Sequence, residues 1–265
     1  MFTCLEILPE AEGLFAKLYE KVRAPFPETE FVQVKGGTPF LRMKVRENHI
    51  DWRKISLLLT GDERKILTSL SVPENTDLQS AKPEALGLVI MYETFVSLAE
   101  EVKNPCNLSV SVYDRNGLLL KKLKKLVPFV RNISVYTEKI GEYFRLSSEI
   151  MEEWGMCVKI NEYMSHAFPE KVIIGDKYNR DMNKAELVFL GDKTVASYNT
   201  VTGSGFLLEK EYKALKGNCA DDFLFASALY EYNGVSHFGE KEFNSLFLAG
   251  KEISKSVLCE RLGRL

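Results

Sequence analysis

The turn Tyr113–Leu119 stands where a nucleotide-binding protein holds phosphate, because it follows a short apolar strand and precedes an apolar, lysine-rich segment. A dinucleotide-binding turn carries the spacing G-x-G-x-x-G, since glycines let the pyrophosphate approach the backbone at the start of a helix. Here Asp114, Asn116 and Leu119 occupy the three glycine positions, and Gly117 lies between the last two. The sequence therefore lacks the phosphate-binding fingerprint.

Charged side chains beside this turn are candidates for contact with a polar ligand. Asp114 would repel a pyrophosphate, by roughly 1 kcal/mol for unit charges about 4 Å apart in water, and Arg115 could offset that repulsion. Glu138 ends the next predicted strand, where an acidic residue can accept hydrogen bonds from ribose hydroxyls. The alternative interpretation of Glu138 is a solvated turn residue.

Two Gly-Asp pairs follow apolar runs further along the chain, Gly175-Asp176 and Gly191-Asp192. The carboxyl ends of strands in an open α/β sheet face the ligand crevice, so these four residues are candidates for ligand contact. In an enzyme, Asp176 or Asp192 could serve as acid or base. The alternative is ordinary turn chemistry, which uses Gly-Asp frequently.

Tyr212 and Lys216 have the Tyr-x-x-x-Lys spacing of short-chain dehydrogenases, in which the lysine lowers the pKa of a catalytic tyrosine. About one such pair is expected by chance in this composition, and the glycine loop that should accompany it is missing. We therefore predict that these two residues do not form a catalytic pair.

Two other groups of residues receive a structural interpretation. The three histidines, His49, His166 and His237, are far apart and lack neighbouring ligands, so no metal site is predicted. A basic face on the predicted helix Leu118–Val127 could contact an anion, but solvated lysines whose stems cover apolar surface are the favoured interpretation. This face consists of Lys121, Lys122, Lys124 and Lys125.

Composition sets the class of protein. The 35 Lys and Arg nearly balance 37 Asp and Glu, so no global field favours nucleic acid or an anionic membrane. Five scattered cysteines without a Cys-x-x-Cys pair predict reduced thiols and a cytoplasmic location. The amino terminus lacks the pattern of a signal peptide, and no apolar run approaches the length of a membrane span.

Patterns of apolar residues predict a small α+β module over residues 1–104 and a Rossmann-like α/β domain over residues 105–265, with the boundary at Asn104-Pro105. We expect a doubly wound, mainly parallel sheet of at least five strands in the second part.

The first module is expected to contain a helix over residues 14–22, a β-hairpin over 31–45, a short helix after Asp51 and a longer helix over 85–99. The second part is expected to contain strands at 108–113, 133–137, 157–160, 171–174 and 187–190, with helices at 118–127 and 143–154. The residues after Gly205 are expected to form helices that pack on the sheet or form a homodimer interface.

Parts of the chain resemble an uncharacterised family of bacterial proteins in which a short first module precedes a glycine-poor Rossmann-like region. The resemblance lies in Asp51–Leu67, in the strand Val110–Asp114 and in Ile133–Tyr143. It implies the fold and brings no activity with it.

These observations leave three hypotheses for the function. The leading one is a non-catalytic or regulatory protein on a Rossmann-like scaffold that has no cofactor and can hold a small-molecule ligand in the crevice. The alternative is an NAD(P)-dependent oxidoreductase. The third is an enzyme that acts on another small molecule.

Overall fold

The computed structural model describes residues 1–9, 27–47, 50–102, 107–163, 170–178, 180–191, 197–236 and 243–265. The chain forms two compact units, Met1–Pro83 with Leu207–Glu240, and Glu84–Phe206 with Lys241–Leu265. This division differs from the single boundary expected at residues 104 and 105. The long helix before that boundary belongs to the second unit, and residues 207–240 return to the first.

The secondary structure of the described residues is as follows. The strands are β1 (Thr3–Leu8), β2 (Glu28–Val32), β3 (Phe40–Arg46), β4 (Lys65–Leu67), β5 (Gln79–Ser80), β6 (Ser109–Tyr113), β7 (Asn132–Thr137), β8 (Val158–Glu162), β9 (Val172–Gly175), β10 (Leu187–Leu190), β11 (Thr200–Ser204), β12 (Ser245–Leu248) and β13 (Lys251–Ile253). The α-helices are α1 (Trp52–Leu58), α2 (Ala85–Glu101), α3 (Ile140–Trp154), α4 (Lys210–Lys216), α5 (Asp222–Asn233) and α6 (Lys255–Gly263). Short 3-10 helices cover Gly61–Arg64, Leu123–Phe129 and Arg180–Lys184.

The first unit contains a five-stranded sheet in the order β2-β3-β1-β4-β5. The predicted hairpin is confirmed, because β2 and β3 pair antiparallel. Strand β1 was not predicted, and it pairs parallel with both β3 and β4 at the centre of the sheet. Helix α1 begins where expected, since the Asp51 carboxylate accepts hydrogen bonds from the N–H groups of Arg53 and Lys54. The helix predicted over residues 14–22 lies outside the described residues.

A disulfide joins Cys4 on β1 to Cys219, and both residues are fully buried in the first unit. The expectation that these cysteines are reduced is therefore wrong. Sequence alone could not pair two cysteines 215 residues apart, because only the return of residues 207–240 to the first unit brings them together. The cysteine-based argument for a cytoplasmic location no longer holds, since disulfides persist mainly in oxidising compartments.

The second unit contains an eight-stranded sheet in the order β13-β12-β11-β10-β9-β6-β7-β8. The six strands from β6 to β11 pair parallel with one another, and β12 and β13 are antiparallel. From β8 to β11 the spatial order is β8-β7-β6-β9-β10-β11. This is the order of a Rossmann-type sheet, in which successive strands are added first on one side of the first strand and then on its other side. The predicted α/β class with a mainly parallel sheet is confirmed, including the parallel pairing of β6 with β7.

Two predicted elements of the second unit are wrong. The segment predicted as a helix over 118–127 forms turns followed by the 3-10 helix Leu123–Phe129, which contains Pro128. The segment around Leu246 is a β-hairpin, in which β12 and β13 are joined by Ala249 and Gly250, both with positive φ. Two successive residues with positive φ produce a turn that matches the twist of paired strands.

Helix α6 packs against α2 within the second unit, where Leu258 and Leu262 are buried. The C-terminal helices thus do not act as one element, because α4 and α5 belong to the first unit. Within the described part of the chain, no helix combines the length and apolar composition needed to cross a membrane.

Candidate functional site

The carboxyl ends of the parallel strands in the second unit define one edge of the sheet. Strands β6, β7 and β8 follow one another to one side, whereas β9 pairs with β6 on the opposite side. The topological switch point therefore lies between β6 and β9, and open α/β sheets bind ligands outside this point. The residues that leave the strands here include Asp114 after β6, Glu138 after β7, Tyr163 after β8 and Asp176 after β9.

Asp114 is fully buried, and its carboxylate closes the turn after β6 through hydrogen bonds to the backbone. Its Oδ1 accepts a hydrogen bond of 2.9 Å from the N–H of Leu118, and its Oδ2 accepts one of 2.7 Å from the N–H of Leu119. The hydroxyl of Tyr143, on α3, donates to Oδ2 at 2.6 Å. The carboxylate thus satisfies backbone N–H groups of the turn that stands at the phosphate-binding position of the fold.

Burial and the adjacent Asp114 carboxylate both raise the pKa of Tyr143, because each disfavours a phenolate. Tyr143 therefore remains a hydrogen-bond donor at neutral pH. Asp114, which the sequence places at the first glycine position, lies directly after β6. Its carboxylate is turned inward to the backbone and Tyr143, where it serves as an internal anion.

Arg115 and Glu138 form an ion pair at the rim of the edge, with Nε of Arg115 2.8 Å from Oε1 of Glu138. Both side chains are about half exposed. The guanidinium carbon of Arg115 also lies 5.9 Å from the ring centroid of Tyr163, within the range of a cation–π contact. The backbone supports this pairing, since the N–H of Glu138 donates to the carbonyl of Arg115. The Glu138 carboxylate, for which the sequence suggested a contact with ribose hydroxyls, thus pairs with Arg115.

Asp176 accepts a hydrogen bond of 2.9 Å at Oδ1 from the hydroxyl of Tyr163, and one of 2.7 Å from the N–H of Lys177. Burial raises the pKa of Asp176, and the charge of Asp114 acts in the same direction, while the two hydrogen bonds oppose the shift. Burial and the Asp176 carboxylate in turn raise the pKa of Tyr163. A carboxyl with a raised pKa beside a tyrosine is an arrangement that can bind or transfer a proton.

Tyrosine rings form a platform beneath these polar groups. Tyr113 and Tyr136 occupy paired positions on β6 and β7, and their rings stack with centroids 4.3 Å apart. Tyr163 meets Tyr113 edge to face at 6.3 Å. This platform was not predicted from the sequence. The available signal was a tyrosine within one residue of the carboxyl end of three strands, β6, β7 and β8.

Glycines at this edge serve close packing. A Cβ on Gly175 would lie 3.1 Å from Cε of Met182. A Cβ on Gly191 would lie 2.6 Å from the backbone nitrogen of Leu88, because helix α2 passes directly over it.

Asn116 is exposed in the turn before Gly117, whose φ of +77° explains the glycine there. Asp192 lies outside the described residues, as do the three histidines.

The remaining candidates take structural partners. Lys216 donates to the carbonyl of Ala220 and pairs with Asp222 at 3.1 Å, and Tyr212 is buried. Both lie on α4 in the first unit, whereas the Rossmann-like sheet belongs to the second.

The four lysines after Gly117 do not form the basic helical face that was expected, because the segment is not an α-helix. Lys122 and Lys125 both pair with Glu93 on α2, and Lys124 pairs with Glu149 and Glu153 on α3. Among the residues that the structure describes, no cluster of His, Cys, Asp and Glu could hold a metal ion.

Comparisons with known proteins add little to this geometry. No protein-family model matches the chain, and no curated protein matches it. Among solved structures, an L-tryptophan dehydrogenase from Nostoc punctiforme is similar, with 11% sequence identity and a TM-score of 0.30 over 86% of this chain and 72% of that chain. A likeness this weak carries no functional argument, and the fold is assigned here from the strand order. The resemblance to the bacterial family stays a prediction.

Proposed function

We propose that this chain is a non-catalytic or regulatory protein in which a degenerate nucleotide-binding fold binds a small molecule without NAD or NADP. The observation that carries the proposal is the position of the Asp114 carboxylate. It accepts hydrogen bonds from the N–H groups of Leu118 and Leu119, in the turn that would contact a pyrophosphate in a dinucleotide-binding protein. A pyrophosphate there would meet a buried negative charge and N–H groups that already have an acceptor.

The edge nevertheless has the features of a ligand site. Polar groups of Arg115, Tyr163 and Asp176 converge beside the switch point, on the platform of Tyr113 and Tyr136. Small-molecule sites combine an apolar or aromatic base with a few placed polar groups, and in open α/β sheets they lie at this position. Since the fold alone does not imply function, the proposal depends on these side chains.

Thermal unfolding with a panel of nucleotides and small metabolites tests the proposal. A ligand at a hundredfold excess over its dissociation constant stabilises a protein by roughly 2.7 kcal/mol, which raises the melting temperature measurably. We expect no rise with NAD or NADP, and a rise with some small metabolite that is lost in Tyr163→Phe and Asp176→Asn.

The oxidoreductase alternative makes the opposite prediction for the same experiment. If millimolar NAD or NADP raises the melting temperature by several degrees, and Glu138→Ala abolishes that rise, the dinucleotide-free proposal is overturned. A metabolite panel that leaves the melting temperature unchanged throughout would also count against it.

A further inference from the structure

Arg115 is held in place with part of its hydrogen-bonding capacity unused. Its Nε donates to Glu138, and its guanidinium lies over the ring of Tyr163. Among the described residues, none accepts a hydrogen bond from the two terminal nitrogens of Arg115. A fixed guanidinium with both terminal nitrogens available matches the two oxygens of a carboxylate.

Asp176 has the complementary property at the hydroxyl of the same tyrosine. Its Oδ1 receives the hydrogen bonds from Tyr163 and Lys177, whereas no other described residue donates to its Oδ2. Asp176 is partly buried, but its Oδ2 is accessible to solvent, so a donor on a ligand can reach it. The groups that suit this oxygen are an amine or a hydroxyl.

Tyr163 sets the spacing between these two groups. The guanidinium of Arg115 contacts the ring of Tyr163, and the hydroxyl of the same ring contacts Asp176. One phenol side chain therefore spans the separation, which a small metabolite can bridge.

We infer that the ligand of this edge is a small carboxylic acid that also carries an amino or hydroxyl group. This inference rests on the proposed function. The carboxylate binds the terminal nitrogens of Arg115, and the amino or hydroxyl group donates to Oδ2 of Asp176. The ring of Tyr163 forms the wall between them. The charge arrangement favours this orientation, because the cation lies over the ring of Tyr163 and the carboxyl lies at its hydroxyl.

Calorimetric titration of the full chain with matched compounds tests the inference. The probes are straight-chain acids of two to six carbons with an amino or hydroxyl group at the 2-position or at the chain end. The matched controls are the unsubstituted acids and the corresponding amines. We expect at least one bifunctional acid to bind, and both of its matched controls to bind at least about tenfold more weakly. The amino and hydroxyl series identify which donor Asp176 accepts.

Variants assign the two contacts. Arg115→Gln should weaken the bifunctional acid and its unsubstituted acid alike, by about tenfold or more, whereas Asp176→Asn should weaken only compounds that carry the donor. Lys139→Gln is the control, since it removes an exposed cation from the same edge that has no role in the proposed contacts.

The outcomes separate this inference from the proposed function. Suppose that a sugar or a nucleoside binds, and that Tyr163→Phe abolishes its binding while Arg115→Gln does not. The ligand class is then wrong and the small-molecule site stands. If neither the acids nor a broad metabolite panel binds wild-type protein, both the inference and the proposed function fail.

Discussion

Asp114 places a carboxylate inside the turn that follows β6. In a Rossmann-type turn the backbone N–H groups usually remain available for an anionic ligand, and glycines keep the approach open. Here the anion is part of the chain, and Tyr143 supplies a further donor to it. The three hydrogen bonds to this carboxylate stabilise the turn.

The substitution Asp114→Ala tests this role. It leaves the N–H groups of Leu118 and Leu119 and the hydroxyl of Tyr143 without their acceptor, so we expect the free energy of unfolding to fall by at least about 3 kcal/mol. Tyr143→Phe removes one of the three hydrogen bonds and should cost about 1–2 kcal/mol. Urea unfolding measures both. Equal losses for the two variants would contradict the assignment of Asp114 as the acceptor of all three bonds.

Asp176 should lower the stability of the protein at neutral pH. Burial raises its pKa in the folded state, so the folded protein binds this proton more tightly than the unfolded chain does. The resulting stability is present at low pH and is lost as pH rises through the folded-state pKa. Asp176→Asn imitates the protonated carboxyl, so the variant should equal wild type at low pH and exceed it near pH 7. Urea unfolding between about pH 3 and pH 8 measures the difference, because the two proteins converge only below the unfolded-state pKa of about 3.9. A variant less stable than wild type near pH 7 would contradict this account.

At the residue scale, the sequence named Arg115 because it could offset the charge of Asp114, Glu138 because it ends the second strand, and Asp176 because strand ends face the crevice. The structure places these residues at one edge of the sheet, and their role in ligand binding stays a prediction. Tyr163 was missed, since its importance comes from contacts with Arg115 and Asp176, which are distant in the sequence. The inward direction of the Asp114 carboxylate was equally hidden, because it depends on the position of α3.

At the scale of elements, the parallel sheet was predictable and some connections were not. Strands β9 and β10 are short apolar runs, whereas β6 and β7 also contain serine. Nearly all side chains of these four strands are buried, which is typical of parallel sheets. The hairpin β12–β13 was mistaken for a helix because Leu246, Phe247 and Ile253 also fit a helical spacing. Short apolar runs do not distinguish the two states, and the turn at Ala249 and Gly250 was the overlooked signal.

Helix α2 lies on the sheet at a distance that only glycine permits. A Cβ on Gly191 would meet the nitrogen of Leu88 at 2.6 Å, and a Cβ on Gly87 would meet the carbonyl oxygen of Gly191 at the same distance. Backbone atoms cannot move aside as a flexible side chain can. Gly191→Ala and Gly87→Ala should therefore each lower the free energy of unfolding by about 2–3 kcal/mol.

A matched control for this prediction lies on α3. A Cβ on Gly141 would have no atom within 4 Å, so Gly141→Ala should raise stability by about 0.5–1 kcal/mol through the lower entropy of the unfolded chain. Thermal or urea unfolding of the three variants gives the comparison. A Gly191→Ala variant as stable as wild type would contradict the close contact between α2 and the sheet.

At the scale of the whole molecule, the chain leaves the first unit after Pro83 and returns to it at Leu207. A boundary search along the sequence cannot find such an arrangement, because it assumes that each unit is one continuous segment. The composition of residues 207–240 gives no sign that these helices belong with the first sheet. The disulfide is the covalent evidence of the return, since it joins β1 to the segment that comes back.

The last prediction concerns this disulfide. Linking residues 215 positions apart restricts the unfolded chain strongly, and the chain-entropy model gives roughly 5 kcal/mol of stabilisation for a loop of this length. Reduction, or the substitution Cys4→Ser with Cys219→Ser, should therefore lower the midpoint of urea unfolding clearly. Cys157→Ser is the control, because Cys157 is a free, exposed cysteine whose loss should change stability by less than about 0.5 kcal/mol. Mass spectrometry of a non-reduced digest should identify the peptide that links Cys4 to Cys219. A digest without that peptide, together with unfolding that is insensitive to reductant, would show that the two segments of the first unit are held by packing alone.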